Sequence, residues 1–147
     1  MVVKNNLKSF AIHVFIVSLS LPVLFLGQNL DNNRLYYGIW FLLVFTLYFI
    51  LGRKFLVKSN QNQNIKGTSC VAIIGVLLTA IVSIFPGKMG WNWLYFNFLY
   101  FPYALPFIEW IPLGQQGKEL HSFFLYFIIS LIPSVMMYVG LVTKKSR

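Results

Sequence analysis

LYYGIWFLLVFTLYFILGRK, residues 35–54, decides the fold: seventeen uncharged residues rich in Leu, Phe, Tyr and Ile run straight into Gly52, Arg53 and Lys54. A helix rises about 1.5 Å per residue, so a run of that length reaches roughly 25 Å, near the lower limit for crossing the hydrocarbon core of a bilayer. Lipid offers no partner to backbone N–H and C=O groups, and an open strand there would leave them unpaired, so the run has to be helical. Arg53 and Lys54 then mark the end that stays in water, on the side where cations accumulate.

Three further apolar runs cover residues 9–26, 67–85 and 122–142. The first follows Lys4 and Lys8 as in a signal peptide, but its apolar part is long and no small-x-small cleavage pattern follows Leu26, so it reads as a retained span. The expected architecture is therefore an all-α integral membrane protein, a single membrane domain over residues 1–147 built as a four-transmembrane-helix bundle. Composition agrees: 58% of residues are hydrophobic and 10% charged, against about 25% charged in soluble domains. The mean hydropathy is +0.71.

The charges sort by side. Lys4, Lys8, Arg53, Lys54, Lys58, Lys66, Lys144, Lys145 and Arg147 fall in segments that share one side of such a bundle. Asp31, Glu109 and Glu119 fall on the other with Arg34, Lys88 and Lys118, so the first side carries the whole net charge of +9. This bias expects a cell-membrane protein with both termini cytoplasmic. The basic residues flank apolar runs instead of lining one soluble face, which argues for contact with the lipid bilayer and against nucleic acid. Asn- and Lys-rich connections beside Phe- and Ile-rich runs point by composition to a bacterial source.

Two connections stand out. The cytoplasmic linker, 52–66, contains Ser59-Asn60-Gln61-Asn62-Gln63-Asn64, a polar tract expected to bury no core. The outer segment, 86–121, carries Trp91, Trp93, Tyr100, Tyr103 and Trp110 among other aromatics, with Glu109, and is interrupted by Pro102, Pro106 and Pro112. Rings at that density favour the headgroup boundary and the prolines break a continuous helix, so an interfacial or re-entrant segment between the third and fourth spans is expected. These aromatics are a candidate outer recognition surface. A rival reading makes residues 91–113 a fifth span, which would bury Glu109 and put Lys144, Lys145 and Arg147 outside, against the charge bias.

No Asp, Glu, Lys or Arg lies inside the four runs. Proton-coupled exchangers need a membrane carboxylate, so that absence argues against them. His13 is the one imidazole within a run and reads as a structural group. His121, the other histidine, is expected on the opposite side, so no metal site is expected. Cys70 is the single cysteine and can form no internal disulfide or thiolate cluster. Glu109, Lys118, Glu119 and His121 share the outer segment with Asn92 and Asn97, but their spacing matches no nucleophile elbow, zinc helix or phosphate loop. They read as solvated charges, and neither catalytic residues nor a cofactor is expected.

Gly75, Thr79 and Ser83 recur every four residues in the third run, a candidate helix-packing face on which small side chains let backbones approach. Together these features expect a small non-catalytic membrane protein, an accessory, regulatory or immunity-type module whose partner is another membrane protein or itself. The alternatives are an oligomeric transporter or channel subunit, for which Ser18, Ser20, Thr46, Thr79, Ser83, Ser130 and Ser134 are the available lining groups, and a lipid-modifying enzyme of the outer leaflet.

Overall fold

The computed structural model of the chain describes residues 1–27, 33–84 and 118–144. The aromatic residues Trp91, Trp93, Tyr100, Tyr103 and Trp110, with Glu109, lie outside the described residues, as do the side chains of Ser83, Glu119 and His121. Among the described residues the protein is all helical: α1 Val2–Gly27, α2 Asn33–Phe55, α3 Gln61–Thr68, α4 Cys70–Ile84 and α5 Lys118–Val142.

α1, α2 and α5 extend beyond their apolar runs. α1 begins at Val2 instead of residue 9, because its polar first turns are held by tertiary bonds: Asn5 Nδ2 donates to the Val57 carbonyl at 2.8 Å and Asn5 Oδ1 accepts from Val57 N at 3.1 Å. α2 continues to Phe55, with Arg53 and Lys54 in its last turn, where cations offset the negative end of the helix dipole.

The polar linker tract is helical from Gln61. Asn60 caps this helix by accepting from Gln63 N at 2.9 Å, and Asn64 closes on Ser59, taking its N–H at 2.7 Å and donating to its carbonyl at 2.9 Å. Asn followed three residues later by Gln is a capping signature. Polar residues that satisfy their own backbone can form a helix without an apolar face, and here Asn64, Gly67 and Thr68 are buried as well.

The third run is not one straight helix. It breaks at Ser69, and α3 and α4 meet at a bend of 47°. The N–H groups freed at the start of α4 are taken up by other helices: Asn6 Oδ1 accepts from Cys70 N at 3.3 Å and Ser134 Oγ from Ala72 N at 3.0 Å. Such substitution of side chains for lost ladder bonds satisfies the backbone groups that a break sets free.

By length and composition, Val2–Gly27 and Leu35–Phe55 can each cross a membrane, and a third span results if the bent α3–α4 pair counts as one. The apolar part of α5 among the described residues, Phe127–Val142, is shorter.

α5 packs most extensively on α2 and then on α4, while α1 lies against α2 and α3. Ile16, Val44, Tyr48, Leu56 and Met137 are fully buried in the shared core. The α2–α5 crossing is close at two glycines. A Cβ on Gly52 would lie 2.7 Å from Met137 Cα, and one on Gly140 would run into the Phe49 carbonyl, backbone against backbone. Polarity is inverted relative to a soluble bundle: Asn5, Ser9, His13, Ser20, Ser130 and Ser134 are buried, while Phe15, Leu42, Ile73 and Leu77 are exposed. An apolar exterior of this extent is a lipid-facing or partner-facing one.

Candidate functional site

The chemistry of the described residues gathers in two places: a polar seam along α1 and a basic clasp at one end of the bundle. On a helix of 3.6 residues per turn, positions 5, 9, 13 and 20 fall within an arc of about 80°. Asn5, Ser9, His13 and Ser20 thus share one face of α1, and all four are buried.

Each member of the seam bonds to another element or to its own turn. Beyond the paired bonds from Asn5 to Val57, Ser9 Oγ donates to the Gly67 carbonyl at 3.2 Å. His13 Nδ1 and the Tyr48 hydroxyl of α2 lie 2.7 Å apart, their rings stacked with an interplanar angle of 23°. The tautomer sets the direction: a neutral Nδ1 accepts from the phenol, and an Nδ1–H donates to it. Ser20 Oγ donates to its own-helix Ile16 carbonyl at 2.8 Å and accepts from the indole N–H of Trp40 on α2 at 3.2 Å.

At the basic end, ammonium groups serve as caps in trans. Lys8 of α1 donates to the Phe55 carbonyl at 2.9 Å, and Lys144 donates to the Leu56 carbonyl at 3.2 Å, so the end of α2 is closed from both sides. Lys58, just beyond α2, returns the contact by donating to the Val142 and Lys144 carbonyls at 2.9 and 2.7 Å, closing the end of α5. The last carbonyls of a helix have no partner within it and carry the negative end of its dipole, so lysines suit them on both counts.

The expected residues are distributed as follows. Gly75 and Thr79 are buried on the strip of α4 that also holds Val71, and Thr79 Oγ1 donates to the Gly75 carbonyl at 2.8 Å. The supposed pore-lining groups divide: Ser20, Thr79, Ser130 and Ser134 are buried, whereas Ser18 and Thr46 are exposed and donate to the carbonyls of Val14 and Leu42 one turn back. Cys70 is half-buried and its thiol donates to the Asn6 carbonyl at 3.1 Å. Among the described residues no three His, Cys, Asp or Glu side chains could share a metal ion.

Sequence reading weighed His13 singly and missed the seam, although the spacing of Asn5, Ser9, His13 and Ser20 was available to find it. The partners Tyr48, Val57 and Gly67 carried no comparable signal, since two of the three act through backbone carbonyls or N–H groups. Compared with known proteins, the chain matches no family model, no curated protein and no solved structure.

Proposed function

We propose that the chain is a non-catalytic multi-pass membrane module of four spans, both termini cytoplasmic, which acts by associating with another membrane protein as an accessory, regulatory or immunity-type subunit. The observation that carries this reading is the allocation of polarity. Buried polar groups tie α1 to the connection after α2, as in Asn5 to Val57, and helix to helix, as in Ser9 to Gly67, His13 to Tyr48 and Ser134 to Ala72, while the outer faces are apolar. Polar groups committed to internal bonds serve assembly, and an apolar exterior leaves lipid and other membrane helices as the available neighbours.

The clasp supports the span count and orientation. Lys8, Lys58 and Lys144 join the beginning of α1 to the ends of α2 and α5, so these three termini share one end of the bundle. An even number of crossings between residues 58 and 142 returns the chain to that end, as two spans do and three do not. The shared end is the basic one, which favours the cytoplasm. The outer aromatic cluster, Trp91 to Trp110, is proposed as the surface that meets the partner.

Brief crosslinking in the native membrane, mild-detergent purification and mass spectrometry test the reading. A stoichiometric different membrane protein is the expected result. A lone monomer would overturn the accessory role, and a homo-oligomer would favour the transporter reading in its place.

A further inference from the structure

An open groove of about 410 Å³ runs between α1 and α2 at the basic end, lined by Lys8, Ala11, Ile12, Phe15, Leu51 and Phe55. The α1 members recur at helical spacing, so the groove follows the helix axis. Apart from Lys8 its walls are apolar. Phe15 and Phe55 are about half exposed along it, at 54% and 48%.

Charge is concentrated at one end of this groove. Lys8 reaches its mouth, and Lys4 lies one turn further toward the end of the same face of α1. Lys54 extends over the Phe55 ring, its Nζ 5.5 Å from the ring centroid. Neither α1 nor α2 contains a carboxylate, the chain's three acids being Asp31, Glu109 and Glu119. The local positive field is therefore not balanced by acids of these two helices. From Lys8 to Phe15, the two ends of the groove's α1 wall, the helix rises roughly 10 Å, about a third of the thickness of a hydrocarbon core. Cations at one end, an open apolar trough below them that takes the headgroup-proximal part of an acyl chain, and a volume of about 410 Å³ match a phospholipid in chemistry.

We propose that the α1–α2 groove is a binding site for an anionic phospholipid of the leaflet facing the basic end. One acyl chain lies along Ala11, Ile12, Phe15 and Leu51, and the phosphodiester is held by Lys4, Lys8 and Lys54. The proposal rests on the membrane reading above but not on the identity of any protein partner. Lys8 has a double role, since it also caps the Phe55 carbonyl. Occupancy of the groove thereby bears on the junction that the clasp closes, through the lysine that the phosphodiester and the Phe55 carbonyl share.

The test uses the full-length protein reconstituted in bilayers of phosphatidylglycerol mixed with phosphatidylcholine, followed by native mass spectrometry of the lipids retained on release. Carbonate extraction of the membranes is run beside it, so that failure to embed is distinguished from failure to select lipid. Wild type should retain phosphatidylglycerol in preference to phosphatidylcholine. Lys4→Gln, which removes no described hydrogen bond, and Lys54→Gln should each reduce that preference about five-fold, as expected for one cation at a membrane surface. Ala11→Phe should fill the trough and abolish retention of either lipid with the charge unchanged. Equal retention of the two lipids by embedded wild type, or undiminished phosphatidylglycerol retention by folded Ala11→Phe, would overturn the proposal, the latter by showing that only diffuse surface charge attracts the lipid.

Discussion

Adding one methyl group at the α2–α5 crossing should loosen the bundle more than any surface change. A Cβ on Gly140 would stand 3.0 Å from the Phe49 carbonyl carbon and 3.1 Å from Arg53 N, and closer still to the Phe49 oxygen. A Cβ on Gly52 would stand 2.7 Å from both Cα and O of Met137, whereas ordinary contact begins near 3.4 Å, a shortfall of 0.7 Å. The obstructing atoms are backbone, so no rotamer change relieves them and the helices must part. A separation of about 0.5–1 Å forfeits a quarter to a half of the dispersion energy of the contacts it opens. Overpacking of this kind costs about 1–3 kcal/mol, and the better helix propensity of Ala returns up to about 1 kcal/mol. Both variants should therefore lose stability, with Gly52→Ala costing up to about 2 kcal/mol and Gly140→Ala, the tighter of the two, about 2 kcal/mol, read by reversible unfolding in mixed micelles of mild detergent and dodecyl sulfate. Because one separation relieves both clashes, the double variant should lose less than the sum. Ser18→Ala, which removes an exposed hydroxyl bonded only to its own helix, should stay within about 0.5 kcal/mol of wild type. If Gly140→Ala were as stable as wild type, the close crossing of α2 and α5 would be refuted.

The buried His13–Tyr48 pair is open to a double-mutant cycle. Tyr48→Phe should cost about 1–3 kcal/mol, as for loss of a bonded buried group, and combining it with His13→Phe should reveal a coupling of about 0.6–1.7 kcal/mol, the range for interhelical bonds in membranes; strict additivity would show that the contact contributes nothing of its own. At the outer segment, replacing Glu109, Glu119 and His121 by Gln, Gln and Asn should leave activity in the native host intact. Loss of activity at normal expression would move the outer-leaflet enzyme reading to the front.

The all-helical character and the ends of the apolar helices were legible because they depend on quantities a sequence carries directly: run length, the absence of charge and the placement of Arg53 and Lys54. The bend at Ser69 was not legible. Its cost is met by Asn6 and Ser134, which lie 64 and 62 residues away in sequence from the N–H groups they accept. The helix over the polar linker lay between these cases. Its Asn60-x-x-Gln63 cap is a local signal, but a tract of Asn and Gln has no apolar face to announce a helix. The seam of α1 was hidden differently. Its four positions share a helix face, but Ser, Asn and His in an apolar run are individually tolerable, and only their common burial gives the pattern meaning.

On the membrane reading proposed above, that pattern also bears on how the bundle would hold one arrangement in lipid. Hydrophobic burial discriminates poorly between helix packings when the solvent is itself hydrocarbon, so register has to come from close packing and from directional bonds. Here the two are divided between helix pairs. α2 and α5 are fixed by Gly52 and Gly140, where only backbone fits. α1 is fixed by hydrogen bonds spaced along its length, from Asn5 on Val57 to Ser20 under Trp40. Sliding α1 by one turn, about 5.4 Å, would break the Asn5, Ser9 and His13 contacts together and leave buried groups facing partners of the wrong kind. The polar seam therefore sets the register of α1, and the lysine clasp locks the end where that register begins. A partner or a lipid acting at the basic end thus touches a place where, among the described residues, α1, α2 and α5 are joined by lysine-to-carbonyl bonds.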